Sequence, residues 1–311
     1  MRTAFIKELF ELAKQDERIV LVVGDLGFGV VTPFMEQLPR QFLNAGVAEQ
    51  NMTGMAAGMA LCGKIALTYS IANFPTLRCL EQVRNDVCYH NANVKVVSVG
   101  GGFTYGAMGA THHALEDLAV MRALPGLVVL APGDPVEARA ATRAIIAYRG
   151  PCYLRLGKAG EPVVHHSPID FELGKAIQIR EGKDATLIST GGILQNVVRA
   201  AERLIKEGIE TRVLSMHTLK PLDEVAVLAA ARETGAIFTI EEHSVIGGLG
   251  SAVAEVLAES DGTKLPFKRI GVPSGFSPHI GSQEYMQDCH GLTDAGIARS
   301  VASVLRTVTS S

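Results

Sequence analysis

Glu49 is an isolated carboxylate in the segment GVAEQNMTGMAAGMAL, where a run of small residues follows it. Gly54, Ala56, Ala57 and Gly58 make the helix expected over Met52–Leu61 lean enough for another backbone to approach. Burial at such a place would favour the protonated form of the acid, which donates a hydrogen bond. The alternative is a charge resting at the positive end of a helix dipole. A second cluster follows three consecutive glycines, Gly100-Gly101-Gly102, in GGGFTYGAMGATHHALEDLAVMRALPGLVVLAPGD. His112 and His113 are adjacent and cannot face the same way, so one of them at most meets a ligand. HHxxE lacks the ligand number and spacing of a zinc site, so no metal is assigned to it. Acid–base or hydrogen-bonding work by His112 at a loop tip stands beside a plainer reading, helix capping with one buried histidine. Gly24-Asp25-Leu26-Gly27-Phe28-Gly29 departs from GxGxxG, and GxxxxGK[ST] occurs nowhere. It reads as a strand-to-loop turn, with Asp25 at the strand's carboxyl end and open to a polar role at a site edge.

These residues fall in loops of an alternating pattern. Apolar runs at Arg18–Leu26, Lys64–Ile71, Asn93–Gly100, Leu127–Ala131 and Cys152–Leu156 predict strands. Helical patterns near Met52–Leu61, Leu77–Tyr89, His113–Leu124 and Pro135–Tyr148 lie between them. GEPVVHHSPIDFE (160–172) carries two prolines and no periodicity, and reads as a linker. A second series has strands at Ala185–Thr190, Thr211–Met216, Ala236–Ile240 and Phe267–Gly271. Its helices are expected near Leu194–Glu207, Leu222–Glu233, Leu249–Glu259 and Ala295–Val308. The alternation predicts an α/β fold of two successive open, mostly parallel sheets flanked by helices. The expected division is a domain at 1–160, a linker at 161–173 and a second domain at 174–311. Ligands of open α/β sheets gather at the carboxyl ends of strands, where the glycine-rich segments lie.

Composition excludes several classes. The 311 residues are 47% hydrophobic and 20% charged with a net charge of -3, which gives no electrostatic case for nucleic acid or an anionic membrane. Mean hydropathy is +0.21, yet no apolar run approaches the ~20 residues of a membrane span. The surplus apolar surface is expected to be buried between subunits. Cys62, Cys79, Cys88, Cys152 and Cys289 are scattered without a CxxC pair and read as buried reduced thiols. Charges spread through MRTAFIKELFELAKQDERIV make it an amphipathic helix rather than a signal peptide. A cytoplasmic location is expected.

GVAEQNM, ATHHALEDLAVMRALPGLVVLAPGD and TIEEHSVIGGLGSAVAEVL, in this order and at these separations, resemble the transketolase family. More narrowly, they are similar to the pyrimidine-binding and C-terminal domains of transketolase and 1-deoxyxylulose-5-phosphate synthase, across nearly the whole chain. Family members hold magnesium and the diphosphate of thiamine diphosphate with GDG followed by Asn, on a separate N-terminal domain. Gly24-Asp25-Leu26 with Asn51 does not meet that pattern. The resemblance therefore implies half of a split transketolase. Its partner would be an N-terminal diphosphate-binding subunit that carries the Mg2+, in a heterotetramer of two chains of each kind. The implied reaction moves a two-carbon ketol unit from a ketose to an aldose.

By the same resemblance, Glu49 hydrogen-bonds the cofactor's pyrimidine nitrogen and favours its imino tautomer. Phe74, in YSIANFPT, stacks on that ring, and Ile71 stands where the family has a second aromatic; Asp25 is added at the site edge from its place at a strand's carboxyl end alone. His112 contacts substrate oxygens near the reacting centre, and His113 faces the helix or the cofactor's edge. Met108 and Gly100-Gly101-Gly102 replace an acid and a histidine that read the sugar in transketolases. Lys158 in YLRLGKAG falls near the family's phosphate-binding arginine, with Arg155 close by, and a lysine supplies charge without the bidentate fork. The implied sites are thus Glu49 and His112 for catalysis, Glu49, Phe74, Ile71 and Asp25 for cofactor, and His112, His113, Lys158 and Arg155 for substrate. No metal ligand is among them. The C-terminal domain carries subunit association, with Glu241, Glu242 and His243 at an interface. A 2-oxoacid dehydrogenase β subunit, a deoxyxylulose-type synthase and a non-catalytic regulatory partner are the rival readings.

Overall fold

A computed structural model describes residues 1–27, 29–260 and 265–309. Phe28 of the glycine-rich turn lies outside the described residues. Twelve strands form two sheets among them: β1 (Ile19–Val23), β2 (Phe42–Asn44), β3 (Ile65–Ile71), β4 (Val94–Val99), β5 (Val128–Leu130), β6 (Cys152–Leu156), β7 (Ile177–Arg180), β8 (Ala185–Thr190), β9 (Thr211–Ser215), β10 (Thr218–Lys220), β11 (Ile237–Ser244) and β12 (Phe267–Val272). The first sheet runs β10-β5-β6-β4-β3-β1-β2 and the second β12-β11-β8-β9-β7. All pairings are parallel except those of the edge strands β10 and β7.

The central strands are apolar because helices cover both faces. All five residues of β1 are buried, and so are all six of β4. β4 includes Lys95, whose Nζ donates to the carbonyls of Tyr148 (2.8 Å) and Gly150 (2.6 Å). Those bonds satisfy an ammonium that burial alone would leave costly, and desolvation lowers its pKa. Asp134 starts helix Pro135–Ala147 by accepting from the amides of Val136 and Glu137, both at 2.8 Å. Its second oxygen accepts from the amides of Val164 and His165, so one buried acid also ties down the segment between β6 and β7. That segment has neither helix nor strand.

The two sheets share a core. Leu118, Met121, Val129 and Ala131 from around the first sheet join Ile188, Leu214, Ile237 and Leu249 from around the second in one buried cluster. β10 crosses over from the second series to pair antiparallel with β5, Thr218 opposite Leu130. The fold is α/β as the alternation predicts, with differences in detail. β2, β7 and β10 lie outside the strands expected from sequence. The helix expected over Leu77–Tyr89 is a 3-10 turn (Leu77–Cys79), a short α segment (Leu80–Gln82) and a π-helix (Val83–Cys88). The helix expected from His113 begins at Asp117, because residues up to Ala114 are held by a bridge to Gly102.

Candidate active site

After β1 the chain moves outward to β2, then returns on the other side of β1 as β3. The space beyond the carboxyl ends of β1 and β3 is therefore a switch point, where parallel sheets leave room for ligands. Three segments meet there: Gly24 after β1, the start of helix Glu49–Leu61 after β2, and the loop from Ile71 after β3.

Glu49 is the first residue of its helix and is 2% exposed. Its Oε2 accepts from Arg78 Nη1 at 2.8 Å. Among the described residues no hydrogen bond engages Oε1, which faces Gly24: a Cβ on Gly24 would stand 3.7 Å from it and 3.6 Å from Ser70 Oγ. The Ser70 hydroxyl is buried and unpartnered. Glu49 is thus buried, and it is paired with an arginine on the 3-10 turn Leu77–Cys79, a partner that the sequence does not suggest. Arg78 also lies over the Phe74 ring, 4.5 Å from its centroid, and Phe74 meets the His112 ring edge-on at 5.4 Å. Glu49, Arg78, Phe74 and His112 thus form one row.

Asn73 secures the loop beside this row. Its Nδ2 donates to the carbonyls of Thr111 (3.2 Å) and His113 (2.9 Å). His112 is partly exposed, with Nδ1 2.9 Å from Thr111 Oγ1. His113 turns inward instead. Its Nε2 donates to the Gly106 carbonyl at 3.0 Å, and its Nδ1 is buried without a partner. The row continues outward through Tyr105, edge-on to His112 at 6.3 Å, to Lys158, whose Nζ stands 5.3 Å from the Tyr105 ring centroid. Lys158 is exposed. It borders a cleft of about 730 Å³ between the two sheets, lined also by Thr104, Arg199 and Gln283.

Three expectations are corrected. Arg155 is 5% exposed, and its guanidinium pairs with buried Asp117 at 2.9 Å and donates to the carbonyls of Ala114 and Glu242. Its polar groups brace the two sheets, and only a small part of the side chain borders the cleft. Asp25, at φ 54°, is exposed and exchanges hydrogen bonds with Asn44, not with the Glu49 row. Of the cysteines only Cys79 and Cys152 are buried; Cys62 and Cys289 are exposed. Ile71 ends β3, partly buried, beside the row.

Glu241, Glu242 and His243 lie at an interface within the chain. The carboxylate of Glu241 accepts from the amides of Leu249 and Gly250, both at 2.8 Å, and so holds the start of helix Leu249–Glu259. His243 Nε2 accepts from the Ala119 amide at 3.3 Å. The carboxylate of Glu242 is buried beneath the Gly101–His113 loop. Burial pushes its pKa up, against hydrogen bonds from Gln287, Phe103 and Gln283 and the charge of Arg155.

A buried acid, an aromatic ring and a loop histidine stand together at a parallel-sheet switch point of an α/β fold, a place where such sheets take ligands. Residues 1–160 match the family described as transketolase, pyrimidine binding domain, and residues 174–297 match transketolase, C-terminal domain. The chain belongs to the transketolase family. It is 41% identical over 305 residues to the 6-deoxy-6-sulfo-D-fructose transketolase subunit SqwH of Clostridium sp. (strain MSTE9), covering 98% of this chain and 94% of that one. It is 39% identical over 307 residues to an apulose-4-phosphate transketolase subunit of Phocaeicola vulgatus, covering 98% and 97%. Among solved structures, a split gene transketolase described as an inactive beta4 tetramer superposes with a TM-score of 0.90 at 40% identity, covering 98% of each chain.

Proposed function

We propose that this chain is the pyrimidine-binding and C-terminal subunit of a two-component transketolase dependent on thiamine diphosphate. Its domains are 1–160 and 174–311, joined by 161–173. It moves a two-carbon ketol unit from a ketose to an aldose acceptor. Diphosphate and Mg2+ are held by a separate N-terminal subunit, in an assembly of two chains of each kind, in the cytoplasm. The relatives named above are themselves subunits, and this chain spans nearly their whole length. Among the described residues no helix is long and apolar enough to cross a membrane.

The observation that carries the reading is the free Oε1 of Glu49 beside Gly24 and the unpartnered Ser70 hydroxyl. That cradle fits the nitrogen edge of an aminopyrimidine, because the carboxylate oxygen not used by Arg78 and the buried, unpartnered Ser70 hydroxyl can both engage a polar ligand. Thiamine diphosphate bound there supplies the carbon nucleophile that accepts and releases the ketol unit. Glu49 holds or moves the proton at the ring nitrogen through Oε1, while Arg78 fixes Oε2. Phe74 gives the ring an apolar wall. His112 reaches substrate oxygens at the loop tip, where it stabilises charge as bonds to the ketol carbon form and break. Lys158, exposed beyond Tyr105, attracts the anionic end of a phosphorylated or sulfonated sugar, the substrate type in the names of both relatives.

A partner surface is also available. A Cβ on Gly54 or Gly58 would meet nothing within 4 Å, so one face of helix Glu49–Leu61 is open within this chain. Leu61 (63%), Val47 (75%) and Tyr89 (85%) are exposed large side chains, and obligate interfaces are unusually apolar. Reconstitution tests the reading. Thiamine diphosphate should bind negligibly to the isolated chain and bind once a partner bearing GDG and a downstream Asn is added, with ketol transfer appearing at the same time. A fully active isolated chain holding its own metal and coenzyme overturns it. Carbon dioxide release from pyruvate would point to one of the rival enzymes.

A further inference from the structure

We propose that Glu242 is a positioning residue: from the second sheet it fixes the loop Gly101–His113 that presents His112. The inference rests on the reading that His112 meets substrate. At its base the loop is closed by two hydrogen bonds, from the Gly102 amide to the Ala114 carbonyl and back, both at 3.0 Å. Beyond that bridge it has little regular structure, only the short 3-10 turn Gly106–Met108. A glycine-rich loop pays a large ordering entropy, so an external hold is needed to keep one conformation.

Glu242 provides it. Its Oε1 accepts from the Phe103 amide at 2.6 Å and from Gln283 Nε2 at 2.9 Å. Its Oε2 accepts from Gln283 Nε2 at 3.2 Å and from Gln287 Nε2. Its main-chain carbonyl accepts from Arg155 Nη2 at 3.0 Å, and the same nitrogen donates to the Ala114 carbonyl at 2.7 Å. The carboxylate therefore grips the start of the loop directly, and the backbone carbonyl shares Arg155 with Ala114 at its end. Fit is close: Gly102 has φ +66°, and a Cβ there would collide with Glu242 Oε1.

The loop tip is gripped by the same half of the chain. Gly281 donates to the Gly106 carbonyl at 3.4 Å, a Cβ on Gly106 would stand 2.7 Å from the Gly281 carbonyl oxygen, and the Phe103 ring stacks on His290 at 5.0 Å. Three donors aimed at one buried site suit a carboxylate, which accepts through both oxygens. The second half thus has a task in substrate binding as well as in association.

The test compares Glu242→Ala and Glu242→Gln with the unaltered chain, each assembled with the diphosphate-binding partner. Hydrogen exchange in Glu242→Ala should accelerate roughly tenfold or more at amides 102–109, while β4 exchanges as before. KM for the ketose should rise on a similar scale, with a smaller change in kcat and unchanged affinity for thiamine diphosphate. Glu242→Gln should restore most of both, because its Oε1 still accepts from Phe103 and the Gln283 amide can rotate to present oxygen, while Gln287 is held by Asn196. Unchanged loop exchange in Glu242→Ala overturns the proposal, as does equal loss in both variants confined to cofactor affinity. Should Glu242→Ala fail to fold, Gln283→Ala/Gln287→Ala should loosen the same amides to a lesser degree, and its failure to do so overturns the proposal equally. If the unaltered complex transfers no ketol group, the activity reading falls, while the exchange comparison still decides what Glu242 holds.

Discussion

Replacing Glu49 by glutamine keeps the size of the side chain and removes the proton that it exchanges. The fold should survive. Arg78 is 46% exposed on its side-chain surface, so losing this ion pair costs about 1 kcal/mol or less. Cofactor binding suffers more, because Glu49 is 2% exposed and a charged or proton-sharing hydrogen bond is strong there. Such a bond contributes about 1.5–3 kcal/mol, which weakens thiamine diphosphate roughly 10- to 150-fold at about 1.4 kcal/mol per decade. Turnover at saturating cofactor should fall by a further factor on the order of 10² to 10⁴, the usual scale of a positioned acid–base group. Glu49→Ala should match or exceed both losses. Calorimetric titration of the coenzyme into the two-subunit complex gives the first number and a steady-state ketol-transfer assay the second, with thermal unfolding as the control. Near-normal turnover of both variants at saturating coenzyme would refute the role assigned to Glu49.

Lys158→Ala should raise KM about tenfold for a phosphorylated or sulfonated ketose, by the loss of one charge-assisted contact, and leave a neutral ketose unaffected; equal effects on both would remove Lys158 from the substrate site. Gly106→Ala should lower the unfolding midpoint by a few degrees, since its methyl must displace the Gly281 carbonyl 2.7 Å away at a cost of about 1–3 kcal/mol. His165 is disfavoured as a cation by burial, yet the hydrogen bond and charge of Glu137, with the charge of Asp134, outweigh this and raise its pKa above 6.5. Its stabilising contribution is therefore full below pH 6.5 and is lost as pH rises through the raised value. The stability gap between the natural chain and His165→Asn, measured by urea unfolding from pH 5.5 to 8.5, should shrink in that direction. A gap that grows with pH would contradict the pairing with Glu137.

What the sequence revealed tracks burial. β1, β3, β4, β6 and β8 are almost wholly buried, so each reads as a continuous apolar run. β2, β7 and β10 are three- or four-residue edges with partly exposed or polar positions, too short to show a period. Glu49, Phe74 and His112 were visible because of their residue types, their neighbours and the family resemblance, and the structure brings them into one row. Arg78 was not, because its pairing with Glu49 spans 29 residues and rests on a turn where a regular helix was expected. Arg155 was visible as a cation near Lys158, but period two in a strand decides its face: it points into Asp117, whereas Lys158 lies past the end of β6. Glu242 drew notice only as half of an acidic pair, since its partners Phe103, Gln283 and Gln287 are distant in sequence.

The antiparallel pairing of β10 with β5 bears on how this chain can be cut. Removing everything after residue 173 would leave β5, a buried strand of valine and leucine, with an unmatched row of amides and carbonyls. Exposed apolar strand margins of that kind recruit other chains. An excised amino-terminal half should therefore self-associate into insoluble material, whereas a version that retains Thr218–Lys220 on a short tether should stay dispersed.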